Sequence, residues 1–179
     1  DWKVYGRTGK LHIRRYEEER NLSVHLIVDY SASMNYGKKF TKFDYAGMLA
    51  VGFAYLAMKS NEKMQFATFS DKLHLFKSRK GKHQIAQMIQ HINSLKPIGS
   101  SNLADNIKKY KKNIKSKSFI VIISDFLIDI EEIKRSLFLL GDHEIKVIQV
   151  LDPVEKNLKI EGDLRLHDSE TKGILRTFI

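Results

Sequence analysis

Residues 22–34, LSVHLIVDYSASM, join an apolar run to a short polar loop. The run from Leu22 to Val28 is mostly apolar and stops at Asp29. A second such run, Phe119 to Ile123, stops in the same way at Ser124-Asp125. Mostly apolar runs of this length are typical of strands covered on both faces in a parallel sheet. We therefore predict two buried parallel strands that each end at an acidic residue.

Two further strands and a hairpin follow from similar patterns. Ile145 to Leu151 is a third apolar run. Met64 to Phe69 and Leu73 to Phe76 are separated by a short polar stretch, which predicts a hairpin. Lys10 to Arg15 alternates polar and apolar residues, and this alternation predicts an edge or half-exposed strand.

Helical patterns lie between these strands. Thr41 with Asp44 is a capping pair, and the segment that follows it is apolar on nearly all sides, as expected for a helix pressed against a sheet. Asp129 with Glu132 resembles a second capping box, and Gly141 is placed to end that helix. Two more helices are predicted by apolar residues three and four apart, over Ile85 to Leu95 and Leu103 to Ile114.

Strands that alternate with helices predict crossover units and helices on both faces of a sheet. The expected fold class is α/β: a three-layer, Rossmann-like architecture with a mainly parallel central sheet and one antiparallel edge hairpin. No Gly/Ser/Pro-rich linker divides the chain, so we expect one domain over residues 1–179, with 1–20 as an N-terminal strand segment and 152–179 as a C-terminal extension. Because the chain begins at Asp1 and not at methionine, we expect it to be a fragment of a longer protein.

The composition excludes several kinds of site. The absence of cysteine rules out disulfides, thiolate ligands and thiol nucleophiles, and it favours a reducing compartment, so we expect a cytoplasmic location. The longest apolar stretch, Ala46 to Met58, is shorter than the about 20 residues of a spanning helix, so we expect no membrane span. His-Glu-x-x-His, Gly-x-Ser-x-Gly and Gly-Lys-Ser/Thr patterns are all missing, so we do not expect an enzyme.

The formal net charge of +10 favours an acidic partner, which could be a protein, a membrane surface or a nucleic acid. The densest basic run consists of Lys108, Lys109, Lys111, Lys112, Lys115 and Lys117. A solvated helix face accounts for this run, and a basic nucleic-acid-binding domain remains an alternative reading.

Candidate ligands for a metal ion stand where the predicted strands end. Asp29, Ser31 and Ser33 alternate along one loop, Ser101 precedes a predicted helix, and Asp125 closes another strand. In an open parallel sheet, ligands bind beyond the carboxyl ends of the strands. Carboxylates and hydroxyls are oxygen ligands that suit a hard cation such as Mg²⁺, with Mn²⁺ or Ca²⁺ as alternatives.

The ordered set Asp-x-Ser-x-Ser, a later hydroxyl after glycine and a strand-terminal aspartate resembles the metal-ion-dependent adhesion site of von Willebrand factor type A domains. The resemblance implies direct coordination by Ser31, Ser33 and Ser101, mainly water-mediated contact from Asp29 and Asp125, and an open position for a carboxylate of a partner. The usual threonine of that family is Ser101 here, or Ser100 if the loop shifts by one residue.

A wider resemblance covers nearly the whole chain and points to one bacterial branch of that family, whose function is unknown. It rests on Asp1-Trp2, Gly6 to Leu11, Glu17 to Arg20, Ser124-Asp125-Phe126 and Asp152-Pro153-x-Glu155. The branch is encoded beside MoxR-type AAA+ ATPases, which implies an ATPase or its client as partner and a chaperone-like role in protein assembly.

Taken together, these patterns predict a divalent-metal-dependent protein-binding module. Tyr36, Asn102 and Phe126 lie beside the candidate ligands in the sequence, so we expect them on the rim that contacts the partner. A metal-dependent phosphatase of the haloacid dehalogenase type is a further alternative. That class needs an acid two residues after its nucleophile, where this chain has Ser31.

Overall fold

The computed structural model describes Gly6, residues 22–76 and residues 81–156, together with the backbone of residues 163–167 and 174–178. Five described strands form a central sheet in the order β3-β2-β1-β4-β5. The strands are β1 (Ser23–Asp29), β2 (Lys63–Phe69), β3 (Leu73–Leu75), β4 (Ser118–Ser124) and β5 (Glu144–Gln149). Neighbouring strands are parallel except β3, which runs antiparallel to β2 at one edge.

Helices cover both faces of this sheet. They are α1 (Lys42–Lys59), α2 (Lys82–Ser94), α3 (Leu103–Lys111), α4 (Ile130–Leu140) and the short α5 (Pro153–Lys156). Alternate residues of β1 point to opposite faces, so Leu26 packs in a core with α1 and α2, whereas Ile27 packs in a core with α3 and α4. The predicted three-layer α/β fold class, with a mainly parallel sheet and one antiparallel edge strand, is confirmed.

The helix α1 approaches the sheet closely because small side chains form its inner face. Ala46, Ala50 and Ala54 are fully buried in the core that α1 shares with β1 and β4. The sequence pattern correctly predicted that α1 packs on the sheet. Although the helix is apolar on nearly all sides, one face lies in solvent, where Tyr45, Met48, Leu49, Tyr55 and Leu56 are exposed. A sheet covers one face of a helix, and nothing in a run of apolar residues indicates whether the opposite face is covered.

Two of the predicted helix ends are confirmed and one capping box is not. Thr41 and Asp44 form the expected reciprocal capping box of α1, and Gly141 ends α4 with a φ of +55°. Asp129 caps α4 by accepting from the Glu131 amide at 2.9 Å. Glu132 does not complete a box with Asp129. Its Oε1 accepts instead from the Ala104 amide in the first turn of α3 at 3.1 Å, a tertiary contact that local spacing could not reveal.

Two short strands lie in the C-terminal part of the chain. β6 (Asp163–His167) and β7 (Ile174–Phe178) pair antiparallel as a separate two-stranded sheet. The expected strand over Lys10 to Arg15 falls outside the described residues. Among the residues that are described, no helix combines the length and the apolar content needed to cross a membrane.

Candidate metal centre

The carboxyl ends of β1 and β4 lie side by side at one edge of the central sheet. The two strands are in parallel register up to Val28 opposite Ile123, so Asp29 and Ser124 follow at adjacent positions. The loop after β1 also joins the end of β2, since the Tyr30 amide donates to the Phe69 carbonyl at 2.9 Å. Residues from three strand ends are therefore gathered at this edge.

Asp29 is the centre of this gathering and its side chain is fully buried. Its Oδ1 accepts from the Ser31 amide at 2.8 Å. Its Oδ2 accepts from the hydroxyls of Ser101 and Ser124, each at 2.7 Å. Burial raises the pKa of the Asp29 carboxyl, and the hydrogen bonds from Ser124, Ser31 and Ser101 oppose that rise.

The loop after β1 brings two more hydroxyls close to each other. Ser31 Oγ lies 3.1 Å from Ser33 Oγ, and Ser31 is buried while Ser33 is half-buried. A 3₁₀ turn over Ala32–Asn35 follows, and it is anchored by the fully buried side chain of Met34. The alternation of serines thus places both hydroxyls on the same side of a fixed turn.

A second loop, Ile98 to Ser101, is held against the first by backbone hydrogen bonds. The Ile98 amide donates to the Tyr30 carbonyl at 2.9 Å, and the Ala32 amide donates to the Gly99 carbonyl at 2.8 Å. This pairing directs the Ser101 hydroxyl to Asp29.

The neighbouring Ser100 is anchored in another way. Its amide donates to Asp71 Oδ1, which lies in the loop after β2, at 2.9 Å. Of the two hydroxyls considered for the position after glycine, Ser101 is therefore the one that reaches Asp29.

Asp125 is buried, but the hydrogen bonds of its side chain lead away from the serine cluster. Its Oδ2 accepts from Lys42 Nζ at 2.8 Å, and the same ammonium donates to Glu155 Oε1 at 2.7 Å. Lys42 and Asp125 are both almost inaccessible to solvent, whereas Glu155 is partly exposed. Asp125 is thus one end of an ion network, centred on the buried Lys42, at the edge of the candidate site.

The three expected rim residues have different environments. Tyr36 is 46% exposed and follows the 3₁₀ turn, and Asn102 is exposed at the start of α3. Phe126 is only half-buried and packs against the core formed with α3 and α4, with a positive φ of 51°. Tyr36 and Asn102 are accessible to a partner, whereas part of the Phe126 ring contributes to the fold.

The chemistry of the donors suits a hard divalent cation around Asp29. The cluster offers one carboxylate and the hydroxyls of Ser31, Ser33, Ser101 and Ser124, without sulfur or imidazole. Within the described part of the chain, no three His, Cys, Asp or Glu side chains are grouped as metal ligands. A cation at this edge would therefore depend on serine hydroxyls, and Asp125 Oδ2 is already paired with Lys42.

The model of a protein family, described as "Protein of unknown function DUF58", matches residues 1–178. The chain belongs to this family. The sequence of this DUF58 chain is also 30% identical, over 183 residues, to that of the uncharacterized protein Rv1480 of Mycobacterium tuberculosis. The match covers 99% of the DUF58 chain but only 57% of that relative, so the chain spans little more than half the length of Rv1480.

Two solved structures share the fold of the DUF58 chain. One is an aerotolerance-related membrane protein from Bacteroides fragilis, with a TM-score of 0.56, 14% identity, and coverage of 88% of this chain and 81% of the other. The second is the conserved hypothetical protein BatB from Bacteroides thetaiotaomicron, with a TM-score of 0.55, 14% identity, and coverage of 88% and 80%. At this level of identity the likeness concerns the fold alone.

Four residues around the candidate metal centre of this DUF58 chain were not singled out from the sequence as functional. Ser124 precedes Asp125 and contacts Asp29, and Asp71 holds the Ser100 amide. Lys42 follows Lys38 and Lys39 in the sequence, and the long-range pairing that buries it has no local signal. Ser124 and Glu155 did carry a signal, since they belong to the Ser124-Asp125-Phe126 and Asp152-Pro153-x-Glu155 motifs on which the wider resemblance rests.

Proposed function

We propose that this chain is a protein-binding module that holds a divalent cation and uses it to capture a carboxylate of a partner protein. The observation that carries the proposal is the convergence of the Ser31, Ser101 and Ser124 segments on the buried Asp29 carboxylate. The resemblance to the adhesion site of von Willebrand factor type A domains supports the same function. Ser31, Ser33 and Ser101 are the proposed direct ligands, and Asp29 is the proposed anchor of the Ser31 and Ser101 segments.

Mg²⁺ is the ion that we favour, with Mn²⁺ or Ca²⁺ as alternatives, because the donors are all oxygen atoms. When bound, the ion supplies a positive centre that hydroxyl ligands neutralise only in part, so that it attracts an external anion. Asp29 holds the Ser31 amide and the Ser101 and Ser124 hydroxyls through hydrogen bonds, and the exposed Tyr36 and Asn102 lie in the chain beside the proposed ligands.

The partner that we propose is a protein with an accessible acidic side chain, in particular a MoxR-type AAA+ ATPase or a client of such an ATPase. The net charge of +10 favours an acidic protein face. The resemblance to the bacterial branch encoded beside these ATPases supports the choice. We further propose a cytoplasmic site of action and a chaperone-like role in protein assembly.

The decisive experiment compares the wild-type protein with Asp29→Ala in calorimetric titrations with Mn²⁺, followed by capture of a purified MoxR-type ATPase in Mg²⁺ or in EDTA. Asp29→Ala and EDTA should both abolish capture, while the overall fold is retained by circular dichroism. Asp142→Ala removes an exposed carboxylate outside the site and serves as the matched control. Capture that persists in both EDTA and the Asp29→Ala variant would rule out the proposed mechanism.

The two alternative functions predict other outcomes in the same preparations. A nucleic-acid-binding domain would bind DNA or RNA in a steeply salt-dependent way, insensitive to EDTA, and would lose that binding when Lys108 to Lys117 are neutralised. A phosphatase would hydrolyse a phosphoester in the presence of metal and would lose that activity with Asp29→Asn. No acid stands at Ser31 to assist such a reaction.

A further inference from the structure

Lys42 is placed where an isolated lysine would be unfavourable. It is the first residue of α1, and its side chain is 2% exposed. A positive charge at the start of a helix lies at the positive end of the helix dipole. A buried ammonium also loses its hydration, and it is tolerated only when it is paired with opposite charge. The position of Lys42 therefore depends on the carboxylates around it.

Two carboxylates compensate the Lys42 ammonium, and both come from distant segments. Asp125 follows β4 and Glu155 lies in α5, at 2.8 and 2.7 Å from Nζ. The second oxygen of Glu155 accepts from the Asp152 amide at 3.0 Å, which fixes the carboxylate in place. The Asp125 carbonyl also accepts from Gln149 Nε2 at 2.9 Å, so the Asp125 end of the network is held as well.

The ion pair between Lys42 and Asp125 reduces the net negative charge beside the candidate metal centre. Asp125 directly follows Ser124, whose hydroxyl contacts Asp29, so the network borders the serine cluster. Without Lys42, an ion at Asp29 would have a second, uncompensated carboxylate nearby in Asp125. With Lys42 in place, Asp125 is paired with a cation, whereas no ion pair of Asp29 is found among the described residues.

We infer that Lys42 is a resident counter-cation of Asp125 that keeps this carboxylate from neutralising the bound metal ion. The inference rests on the proposed metal-binding function. Lys42 thereby weakens metal binding and leaves the ion with enough unbalanced charge to take a carboxylate from a partner. Glu155 has the opposite effect, because it compensates part of the Lys42 charge.

If Lys42 acts through its charge, two substitutions should change the Mn²⁺ affinity in opposite directions, whereas a purely structural role predicts a change in the same direction for both. Lys42→Met removes one positive charge beside the site, so Mn²⁺ should bind about tenfold more tightly. Glu155→Gln removes one negative charge and leaves Lys42 less compensated, so Mn²⁺ should bind several-fold more weakly. Both substitutions break the same ion network, and damage to the fold alone would weaken binding in both variants.

The experiment is a titration of the chelator-treated protein with Mn²⁺, with the free ion measured by electron paramagnetic resonance. Lys39→Met is the matched control, because Lys39 is an exposed lysine three residues before Lys42 and its loss removes the same charge. The wild-type protein and Lys39→Met should have equal affinities, with Lys42→Met tighter and Glu155→Gln weaker than both.

The measured affinities show whether the role of Lys42, the metal-binding function or both must be abandoned. Wild-type affinity in Lys42→Met overturns the role of Lys42 and leaves the metal-binding function intact. Binding by Lys42→Met but not by the wild-type protein supports the role of Lys42 and overturns native metal binding. Absence of binding in all variants overturns both. If Lys42→Met does not fold, unchanged or tighter binding by Glu155→Gln overturns the role of Lys42.

Discussion

Ser101 Oγ donates a hydrogen bond of 2.7 Å to Asp29 Oδ2, although 72 residues separate the two in the chain. The contact joins the loop before α3 to the end of β1. Ser124 donates to the same oxygen from the end of β4. The loop before α3 and the end of β4 thus both donate to one buried carboxylate oxygen at the end of β1. A change in any of these three segments is expected to affect the other two.

The Ser101 hydroxyl should contribute directly to metal affinity. Ser101→Ala is expected to weaken Mn²⁺ binding by about tenfold or more, which corresponds to about 1.4 kcal/mol. Ser101→Thr keeps the hydroxyl and restricts its rotamers, so its affinity should equal or exceed that of the wild-type protein. Isothermal titration calorimetry measures both. Ser100→Ala is the neighbouring control, and a larger loss in this variant than in Ser101→Ala would show that Ser100 is the ligand.

Gly99 should be intolerant of any side chain, for two reasons. Its φ of +83° disfavours L residues, and a Cβ atom there would meet the Asp71 carboxylate, with Cγ at 2.8 Å. Gly99→Ala is therefore expected to lower the free energy of unfolding by about 2 kcal/mol or more. Gly52→Ala is the matched control, since open space surrounds that helical glycine, and it should raise stability by about 0.5–1 kcal/mol. Urea denaturation tests both, and equal stabilities would contradict the prediction.

The sequence predicted the fold and the Asp29 cluster because both depend on local patterns. Apolar runs that stop at Asp29 and at Ser124-Asp125 indicate where buried strands end, and parallel strand ends necessarily meet at one edge. The partners of Lys42 could not be predicted in this way. They lie 83 and 113 residues away, and only the folded topology brings them to the start of α1.

Local patterns also failed where a tertiary contact competed with a short-range one. Glu132 has the spacing of a capping residue, yet its carboxylate accepts from Ala104 in a neighbouring helix. The choice between Ser100 and Ser101 was open for a similar reason. It depends on Asp71, which holds the Ser100 amide from a different loop.

The inner face of α1 should not tolerate a larger side chain. Ala50 is fully buried between the helix and the sheet. Ala50→Leu is expected to cost about 1–3 kcal/mol of stability, because the added carbon atoms force apart a close-packed contact. Leu56→Ala changes a residue of the same helix that is 58% exposed, and it should alter stability by about 0.5 kcal/mol at most. Thermal and urea unfolding measure the difference, and similar effects of the two substitutions would refute the assigned orientation of α1.

The buried pair of His25 and Tyr110 should make stability depend on pH. His25 Nδ1 and Tyr110 Oη share a hydrogen bond of 2.7 Å beneath α3. Burial, aided by the nearby His143, lowers the pKa of His25 from its usual 6.5 to about 4. Between these values the unfolded chain binds a proton that the folded protein does not. Stability is therefore complete above the unfolded pKa and is lost as the pH falls toward 4, by about 3 kcal/mol in total.

A paired substitution isolates this contribution. His25→Leu combined with Tyr110→Phe removes both polar partners together, so neither is left buried without a hydrogen bond. At pH 8 the double variant should be close to the wild-type protein in stability, whereas between pH 6.5 and 4 its stability should fall less steeply. Tyr110→Phe alone keeps the imidazole buried and should retain the steep dependence. Urea denaturation across this range measures the slopes, and equal slopes for the wild-type protein and the double variant would assign the pH dependence to other groups.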